Sequence, residues 1–231
     1  MPTFLLLTAL CYLFSSGAWA SPPNAISTIE HIRDAIVTVQ GKAIRIAENQ
    51  PNAVGMYETN GAGVIVDPTG LIVTNTHVIY ETQWITVTLE DGTSYPATLV
   101  QVSPFYDVSV IRISAGQPLH AVEFANPDEM TLGEKVITIG HSPLLLKTIS
   151  GGTITAIGVK NNDPSKTPQF LELNINHYEG DSGGPVFDEN GYFLGLISAK
   201  RSSVNRASFA IPAEMIRQML TALAEGRANA P

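Results

Sequence analysis

The chain has 231 residues and a mass of 24.7 kDa, so its length fits one large domain or two small ones rather than a string of modules. Thirteen basic residues against 21 acidic ones give a net charge of −8, which argues against nucleic acid or a polybasic membrane patch as a partner. A hydrophobic fraction of 44% with 15% charged residues excludes general disorder. Cys11 is the only cysteine, so intramolecular disulfides and cysteine-based metal sites are excluded as well.

Residues 1–20 have the pattern of a secretory signal peptide. The apolar run Phe4–Phe14 is followed by small residues and by Ala18-Trp19-Ala20, an A-x-A cleavage pattern. The run is shorter than the roughly 20 residues that a membrane-spanning helix needs. We therefore expect cleavage after Ala20, no membrane span in the mature protein and a periplasmic or secreted location. An uncleaved anchor and a lipid anchor on Cys11 are the alternatives.

Twelve short β-rich segments follow, separated by turns rich in Gly, Asn, Asp and Pro. They fall into two sets of six on either side of the connector 115–118. This pattern predicts an all-β fold of two six-stranded antiparallel β-barrels, over residues 21–118 and 119–231 after the signal peptide of residues 1–20. The predicted strands are 36–39, 63–66, 71–74, 84–89, 97–102, 108–113, 136–139, 152–157, 170–175, 186–187, 193–198 and 208–211.

Helical patterns occur only near the two ends of the mature chain. Residues 27–35 predict a short helix, and Pro212 begins a second one over 213–225. Residues 40–59 show no clear apolar period and predict a long surface loop. Trp84 is expected to pack inside the first barrel.

Two polar residues stand where apolar strands begin or end. His77 follows the predicted strand 71–74, and Asp107 directly precedes the apolar run 108–111. Taken alone, each residue is more typical of a structural hydrogen-bonding group than of a catalyst. The histidines His31, His120 and His141 have no metal-ligand spacing, so the sequence predicts no metal and no cofactor.

The segment Gly180-Asp181-Ser182-Gly183-Gly184 carries more information, because it puts a serine inside a glycine-rich turn. Gly180 lets its own N–H and that of Ser182 converge as an oxyanion hole, and Gly183 and Gly184 leave space beside the serine hydroxyl. With a histidine and an aspartate earlier in the chain, the order is that of chymotrypsin-fold proteases. This joint pattern predicts His77, Asp107 and Ser182 as catalytic residues.

The sequence resembles the trypsin-like serine proteases of the bacterial HtrA/Deg type. The segments 74–78 (Thr-Asn-Thr-His-Val) and 180–186 carry the resemblance, which extends in order over residues 33–217. It implies two perpendicular β-barrels with the active site in the cleft between them. It also implies a serine endopeptidase that acts on unfolded or extended polypeptides in protein quality control, and a homotrimer.

The same resemblance implies the residues that bind substrate. Ser198, Ala199 and Lys200 would form the edge that pairs with an extended substrate backbone. Asn176 would lie near the base of the S1 pocket, where a neutral side chain gives no reason to prefer Lys or Arg. His177 could also line S1, although a loop histidine is the simpler interpretation. HtrA proteins usually continue into PDZ domains, and we expect this protein to lack one.

Asp181 departs from the family, because Deg-type enzymes typically carry Asn at this position. In digestive trypsin-like enzymes an aspartate there pairs with a new N-terminus, but Ser21 is a poor candidate for that role. We therefore expect Asp181 to be met by backbone donors or a cation, or to stay solvated, and the oxyanion loop to fold without zymogen cleavage. The alternative function is a binding or chaperone-like module that keeps the protease fold but is inactive or only conditionally active.

Overall fold

A computed structural model describes residues 25–47, 50–142, 145–160, 169–175, 181–200 and 208–226. Its elements are twelve strands, three short α-helices and two 3₁₀ helices, Arg33–Ala35 and Pro127–Glu129. The strands are β1 (Ile36–Ala47), β2 (Gln50–Asp67), β3 (Leu71–Thr74), β4 (Trp84–Thr88), β5 (Ser94–Val102), β6 (Ser109–Arg112), β7 (Lys135–Ser142), β8 (Leu145–Lys160), β9 (Gln169–Leu173), β10 (Pro185–Asp188), β11 (Phe193–Lys200) and β12 (Ser208–Pro212). The helices are α1 (Ala25–Ile32), α2 (Thr76–Ile79) and α3 (Ala213–Ala224).

The strands close into two antiparallel barrels of six strands each. The first has the strand order β1-β2-β3-β6-β5-β4, and the second β10-β11-β12-β9-β8-β7. The predictions of two six-stranded antiparallel barrels and of short helices near both ends are therefore confirmed. None of the helices in the described residues is long and apolar enough to cross a membrane.

Three hydrophobic cores hold the molecule together. One fills the first barrel and another fills the second. The third lies between the barrels and includes the fully buried Phe187 and Phe193 with Ile216 and Met219 of helix α3. Each such side chain contributes about 1.5–3 kcal/mol when fully buried. Because this shared core fixes one barrel against the other, residues from both can form a single site.

The prediction of a long surface loop over residues 40–59 is wrong. The strands β1 and β2 pair almost without interruption from Ile36 and Val64 to the far end of the hairpin, whereas β1 pairs with β4 only as far as Lys42. Beyond Lys42 the hairpin is a two-stranded arm, with Ile44 and Met56 exposed. A two-stranded arm does not have to bury one whole face, so its sequence needs no regular apolar alternation.

The expectation for Trp84 is wrong as well. Its side chain is 54% exposed and lies at the beginning of β4, where its backbone is paired with Lys42. Successive side chains of a strand point to opposite faces, and Val87 of β4 is the fully buried one. Trp84 and Val87 are an odd number of positions apart, so the Trp84 side chain points to the opposite, outer face of the barrel.

Candidate active site

His77 lies on a one-turn helix that follows directly from a buried strand. Helix α2 begins just after β3, with Asn75 as an extended N-cap. Val78 and Ile79 are buried in the core of the first barrel, while the side chain of His77 is 51% exposed. The Thr59 hydroxyl donates a 2.5 Å hydrogen bond to the Val78 carbonyl oxygen, which ties α2 to β2.

Asp107 contacts His77 at two points. Its Oδ1 accepts a hydrogen bond from the His77 backbone N–H at 2.9 Å, and its Oδ2 accepts one from His77 Nδ1 at 2.5 Å. The Asp107 carbonyl oxygen also accepts hydrogen bonds from Asn75 Nδ2 at 2.8 Å and from the Thr76 N–H at 3.4 Å. With Nδ1 as the donor, His77 Nε2 is left to accept a proton. The structure thus brings His77 and Asp107 together as one rigid pair.

The pKa of Asp107 reflects two opposing influences. Burial is the largest single one and raises the pKa of the carboxyl group. The pKa is lowered by the hydrogen bonds from the His77 ring and backbone, by the charge attraction to His77 and by the hydrogen bond from the Thr76 N–H. These influences together outweigh burial, so the pKa of Asp107 lies below its ordinary value. Asp107 is therefore ionised at neutral pH, and both of its oxygens act as acceptors for His77.

Ser182 lies just before β10 of the second barrel, and its segment reaches the first barrel. Its carbonyl oxygen accepts a hydrogen bond from the Ala62 N–H of β2 at 2.8 Å. Gly183 follows with φ +79°, and a Cβ there would overlap the Ala62 carbonyl oxygen and lie 2.8 Å from the Thr74 hydroxyl. Thr74 ends β3, the strand that leads into the helix of His77. The Ser182 segment therefore packs against strands that position His77.

Asp181 is buried beneath this segment, with only 8% of its surface exposed. Its carboxyl group occupies the space above Gly140 of β7, because a Cβ on Gly140 would overlap Oδ1 and lie 2.5 Å from Cγ. The Asp181 carbonyl oxygen accepts a hydrogen bond from the Gly184 N–H at 2.9 Å. The alternative of a solvated Asp181 side chain is therefore wrong, and a glycine at position 140 is what admits it.

The remaining predicted site residues are only partly described. Asn176 and Gly180 lie outside the described residues. Ser198 is half-buried, and Ala199 and Lys200 pair through their backbones with β12. The proposed oxyanion donor Gly180 and the proposed S1 residue Asn176 stay predictions. Within the described residues, no group of three or more His, Cys, Asp or Glu side chains could hold a metal ion.

Sequence reasoning missed three residues that support this site. Asn75 is fully buried and donates to the backbone carbonyl oxygen of Asp107. It lies in the motif Thr-Asn-Thr-His-Val, which assigns it no role. Tyr106 precedes Asp107 and is buried. The one indication of this in the sequence is a large aromatic residue next to a charged one. Gly140 gave no signal, because its partner Asp181 is distant in sequence.

The comparison with known families gives one extensive match. The family described as "Trypsin-like peptidase domain" matches residues 61–196. This range includes His77, Asp107 and Ser182, and it extends from within β2 to the middle of β11.

Individual relatives agree with the family match. The chain is 35% identical over 166 residues to the "Probable periplasmic serine endoprotease DegP-like" of Chlamydia pneumoniae, a match that covers 71% of this chain and 34% of that protein. It is 30% identical over 169 residues to the "Periplasmic serine endoprotease DegP" of Escherichia coli K12, covering 71% and 36%. The chain therefore spans about a third of the length of these curated relatives.

A solved structure shares the fold. The structure titled "HtrA-type protease AlgWS227A with decapeptide" superposes with a TM-score of 0.79 at 23% sequence identity, covering 88% of this chain and 68% of that one. The two closed barrels are therefore arranged as in the chymotrypsin-like fold.

Proposed function

Because this chain belongs to the trypsin-like peptidase domain family and is homologous to the HtrA/Deg serine endoproteases, we propose that it is an exported serine endopeptidase acting on unfolded or extended polypeptides. The observation that supports this most directly is the pair of hydrogen bonds from His77 to Asp107, with the Ser182 segment held against the same barrel. A binding module would not need His77, Asp107 and Ser182 together.

The proposed mechanism uses each residue at a stated atom. Ser182 Oγ attacks the scissile carbonyl carbon and gives its proton to His77 Nε2, which delivers it to the leaving amine as the C–N bond breaks. A water molecule, deprotonated by the same Nε2, then hydrolyses the acyl-enzyme and restores the Ser182 hydroxyl. Asp107 keeps the proton of the imidazole on Nδ1 and stabilises the imidazolium that forms. Its low pKa supports this role, since a protonated carboxyl group would do neither.

The oxyanion would be held by the backbone N–H groups of Gly180 and Ser182. Donors of this kind are worth about 2.7–4 kcal/mol each in a comparable site. The segment that leads into β10 is restricted by the left-handed backbone of Gly183 and by the buried side chain of Asp181. These restraints support a loop that is formed without prior cleavage of the chain.

The proposed substrate edge is the end of β11. The strand β10 pairs with β11 through residues 185–187, and this pairing reaches Leu196. Beyond it, β11 continues through Ser198, Ala199 and Lys200 with β12 paired along one side. Among the strands that the structure describes, none covers the other side of this edge. An extended peptide could add there as a further strand. The S1 roles of Asn176 and His177 lie outside the described residues and stay predictions.

Export rests on residues 1–20 and on the relatives. Two of them are titled periplasmic endoproteases, and residues 1–20 have the pattern of a signal peptide. We propose a periplasmic or secreted location with cleavage after Ala20 and a role in protein quality control. The trimer that the resemblance implies stays a prediction.

The direct test is covalent labelling of the mature protein by a fluorophosphonate probe, which reacts with activated serines. We expect labelling of the wild type, none of Ser182→Ala, and unchanged labelling of Ser114→Ala, which alters an exposed loop serine. Absence of wild-type labelling over a range of pH and with added peptides would reject the enzyme and favour the inactive protease-fold module. Mass spectrometry of the mature N-terminus tests the cleavage site.

A further inference from the structure

The residue before Asp107 is a buried tyrosine that directly follows two exposed residues, Pro104 and Phe105. Tyr106 is 9% exposed, whereas its neighbour Phe105 is 52% exposed. The ring of Tyr106 belongs to the hydrophobic core that the two barrels share, together with Val108. A side chain adjacent to Asp107 therefore reaches out of the first barrel and into the interface with the second.

On the side of the first barrel, the backbone around Tyr106 is closed into a tight loop. The Tyr106 N–H donates to Ser103 Oγ at 3.1 Å, and the Val108 N–H donates to the Tyr106 carbonyl oxygen at 2.8 Å. The Ser103 N–H donates to the Val108 carbonyl oxygen at 2.9 Å. These bonds on both sides of Asp107 make its position depend on that of Tyr106.

On the side of the second barrel, Tyr106 is held by β9. Its hydroxyl oxygen accepts a hydrogen bond from the Gln169 backbone N–H at 3.1 Å. Its ring meets Phe170 edge-on at 5.8 Å, and Phe170 meets Phe209 of β12 in the same manner at 6.3 Å. Such edge-to-face aromatic pairs stabilise a contact beyond the effect of the area that they bury. Tyr106 is thus bound to the second barrel by one hydrogen bond and by a row of three rings.

Asp107 itself contacts only one side of this interface. Its hydrogen-bond partners in the described part of the chain, Asn75, Thr76 and His77, all belong to the first barrel. Ser182 belongs to the second barrel. The relative placement of the proposed catalytic pair and the proposed nucleophile therefore depends on contacts that cross between the barrels, and the loop of Asp107 makes such a contact through Tyr106.

We propose that Tyr106 is a positioning residue for Asp107, which it holds in register with the second barrel through the Gln169 N–H and the Phe170 ring. The proposal rests on the proposed function, since it assigns a role within the same site. Catalysis is sensitive to such placement, because a displacement of about 1 Å can cost roughly 100-fold in rate.

The Tyr106 phenol keeps one protonation state over the pH range in which the protein would be assayed. Burial raises the pKa of Tyr106, and the Gln169 N–H opposes this only in part. The phenol therefore stays uncharged through neutral and mildly alkaline pH, and the contact does not change over the range in which a serine protease is assayed.

The test is a double-mutant cycle between Tyr106→Phe and Asp107→Asn. Phenylalanine keeps the ring and removes only the hydroxyl acceptor. For peptide hydrolysis we expect kcat to fall roughly three- to tenfold with KM unchanged, since one hydrogen bond is lost. In the Asp107→Asn background, the same change should have no further effect on kcat or on the rate of fluorophosphonate labelling. A residue that acts through Asp107 has nothing left to position once the carboxylate is gone.

Two controls separate positioning from general destabilisation. Tyr192→Phe removes the hydroxyl of a tyrosine that is 43% exposed and should leave kcat unchanged. Thermal unfolding of every variant measures stability independently. Should Tyr106→Phe be too unstable to assay, Phe170→Leu loosens the ring contact and should show the same dependence on Asp107.

An equal loss of kcat in both backgrounds, or wild-type kcat for Tyr106→Phe, would overturn the proposal and leave Tyr106 as a packing residue. These results are distinct from failure of the proposed function. That failure would appear as absence of wild-type labelling or as labelling retained in Ser182→Ala.

Discussion

The two barrels contribute to the proposed site in different ways. In the first barrel, His77 and Asp107 are joined by two direct hydrogen bonds, and a third from Asn75 braces the backbone of Asp107. In the second barrel, Ser182 is positioned by its backbone, by the left-handed Gly183 and by the Asp181 carboxyl group above Gly140. One half is built from polar side chains, and the other is built largely from glycines and main-chain contacts.

This difference predicts different sensitivities to substitution. Polar side chains that bind each other directly lose a specific interaction when one is changed, and the fold survives because both are partly exposed. A segment packed through glycines fails when a side chain is added, because main-chain atoms and short buried side chains have little room to move away. We therefore expect substitutions in the two halves of the proposed site to differ in their effects on catalysis and on stability.

The largest effect is expected for Asp107→Asn, which tests the half made of side chains. The amide can donate to His77 Nδ1, and the imidazole is then held in the wrong tautomer for accepting the serine proton. We expect kcat to fall by about 10⁴, as in the type enzyme of this mechanism, with KM little changed and the unfolding temperature only slightly lowered. Peptide hydrolysis and circular dichroism melts measure both. A loss below about tenfold would contradict the assigned role.

The second effect is expected for Gly140→Ala, which tests the half made of glycines. The added Cβ would overlap the Asp181 carboxyl group, and the segment that carries Ser182 must then shift. We expect a stability loss of about 1–3 kcal/mol and fluorophosphonate labelling slowed by roughly 100-fold. Gly55→Ala is the matched control, because a Cβ at Gly55 meets nothing within 4 Å. Unchanged labelling of Gly140→Ala would show that Asp181 does not position Ser182.

A smaller effect is expected for Thr59→Val, which returns to the first barrel. The change removes the hydrogen bond from the Thr59 hydroxyl to the Val78 carbonyl oxygen and loosens the helix of His77. We expect a loss of about 1 kcal/mol in the free energy of unfolding and a few-fold lower kcat. Thr59→Ser keeps the hydroxyl and should restore kcat. If Ser and Val behave alike, packing rather than the hydrogen bond holds this helix.

The smallest effect concerns stability in acid. Because the pKa of Asp107 is lower in the folded protein than in the unfolded chain, its contribution to stability is present above the unfolded value, near 3.9. That contribution is lost as the pH falls through the folded value. The stability difference between the wild type and Asp107→Asn should therefore narrow below about pH 4. Chemical unfolding at pH 7 and pH 3 measures the difference, and a gap of constant size would mean that the folded pKa is not lowered.

Most strands of the barrels could be predicted from the sequence because they are short apolar runs bounded by turn residues, and the barrels bury such runs, as in β3, β6 and β10. Phe187 and Phe193, for example, fall in predicted strands and are fully buried. The arm of β1 and β2 could not be predicted, because its sequence carries no such apolar run, and the described residues 54–58 of β2 are all exposed. Trp84 was misread for a related reason, since a large apolar residue does not reveal which face of a strand it occupies.

The proposed site divides in the same way. The order of His77, Asp107 and Ser182 and the glycines around the serine are properties of the sequence, because the reaction needs those groups and those open spaces. The contacts of Tyr106 with Gln169 and of Asp181 with Gly140 were decided by the tertiary structure alone. Each joins residues far apart in sequence, and such a contact leaves no periodicity or motif along the chain.

For this protein, length, composition and strand pattern therefore determined two β-barrels, and the spacing of three polar residues determined the candidate chemistry. The tertiary structure decided how the barrels meet, which side chains brace Asp107 and what lies beneath Ser182. The physical reason is that local patterns record which face of an element is buried, whereas the partner on that face depends on how distant segments pack.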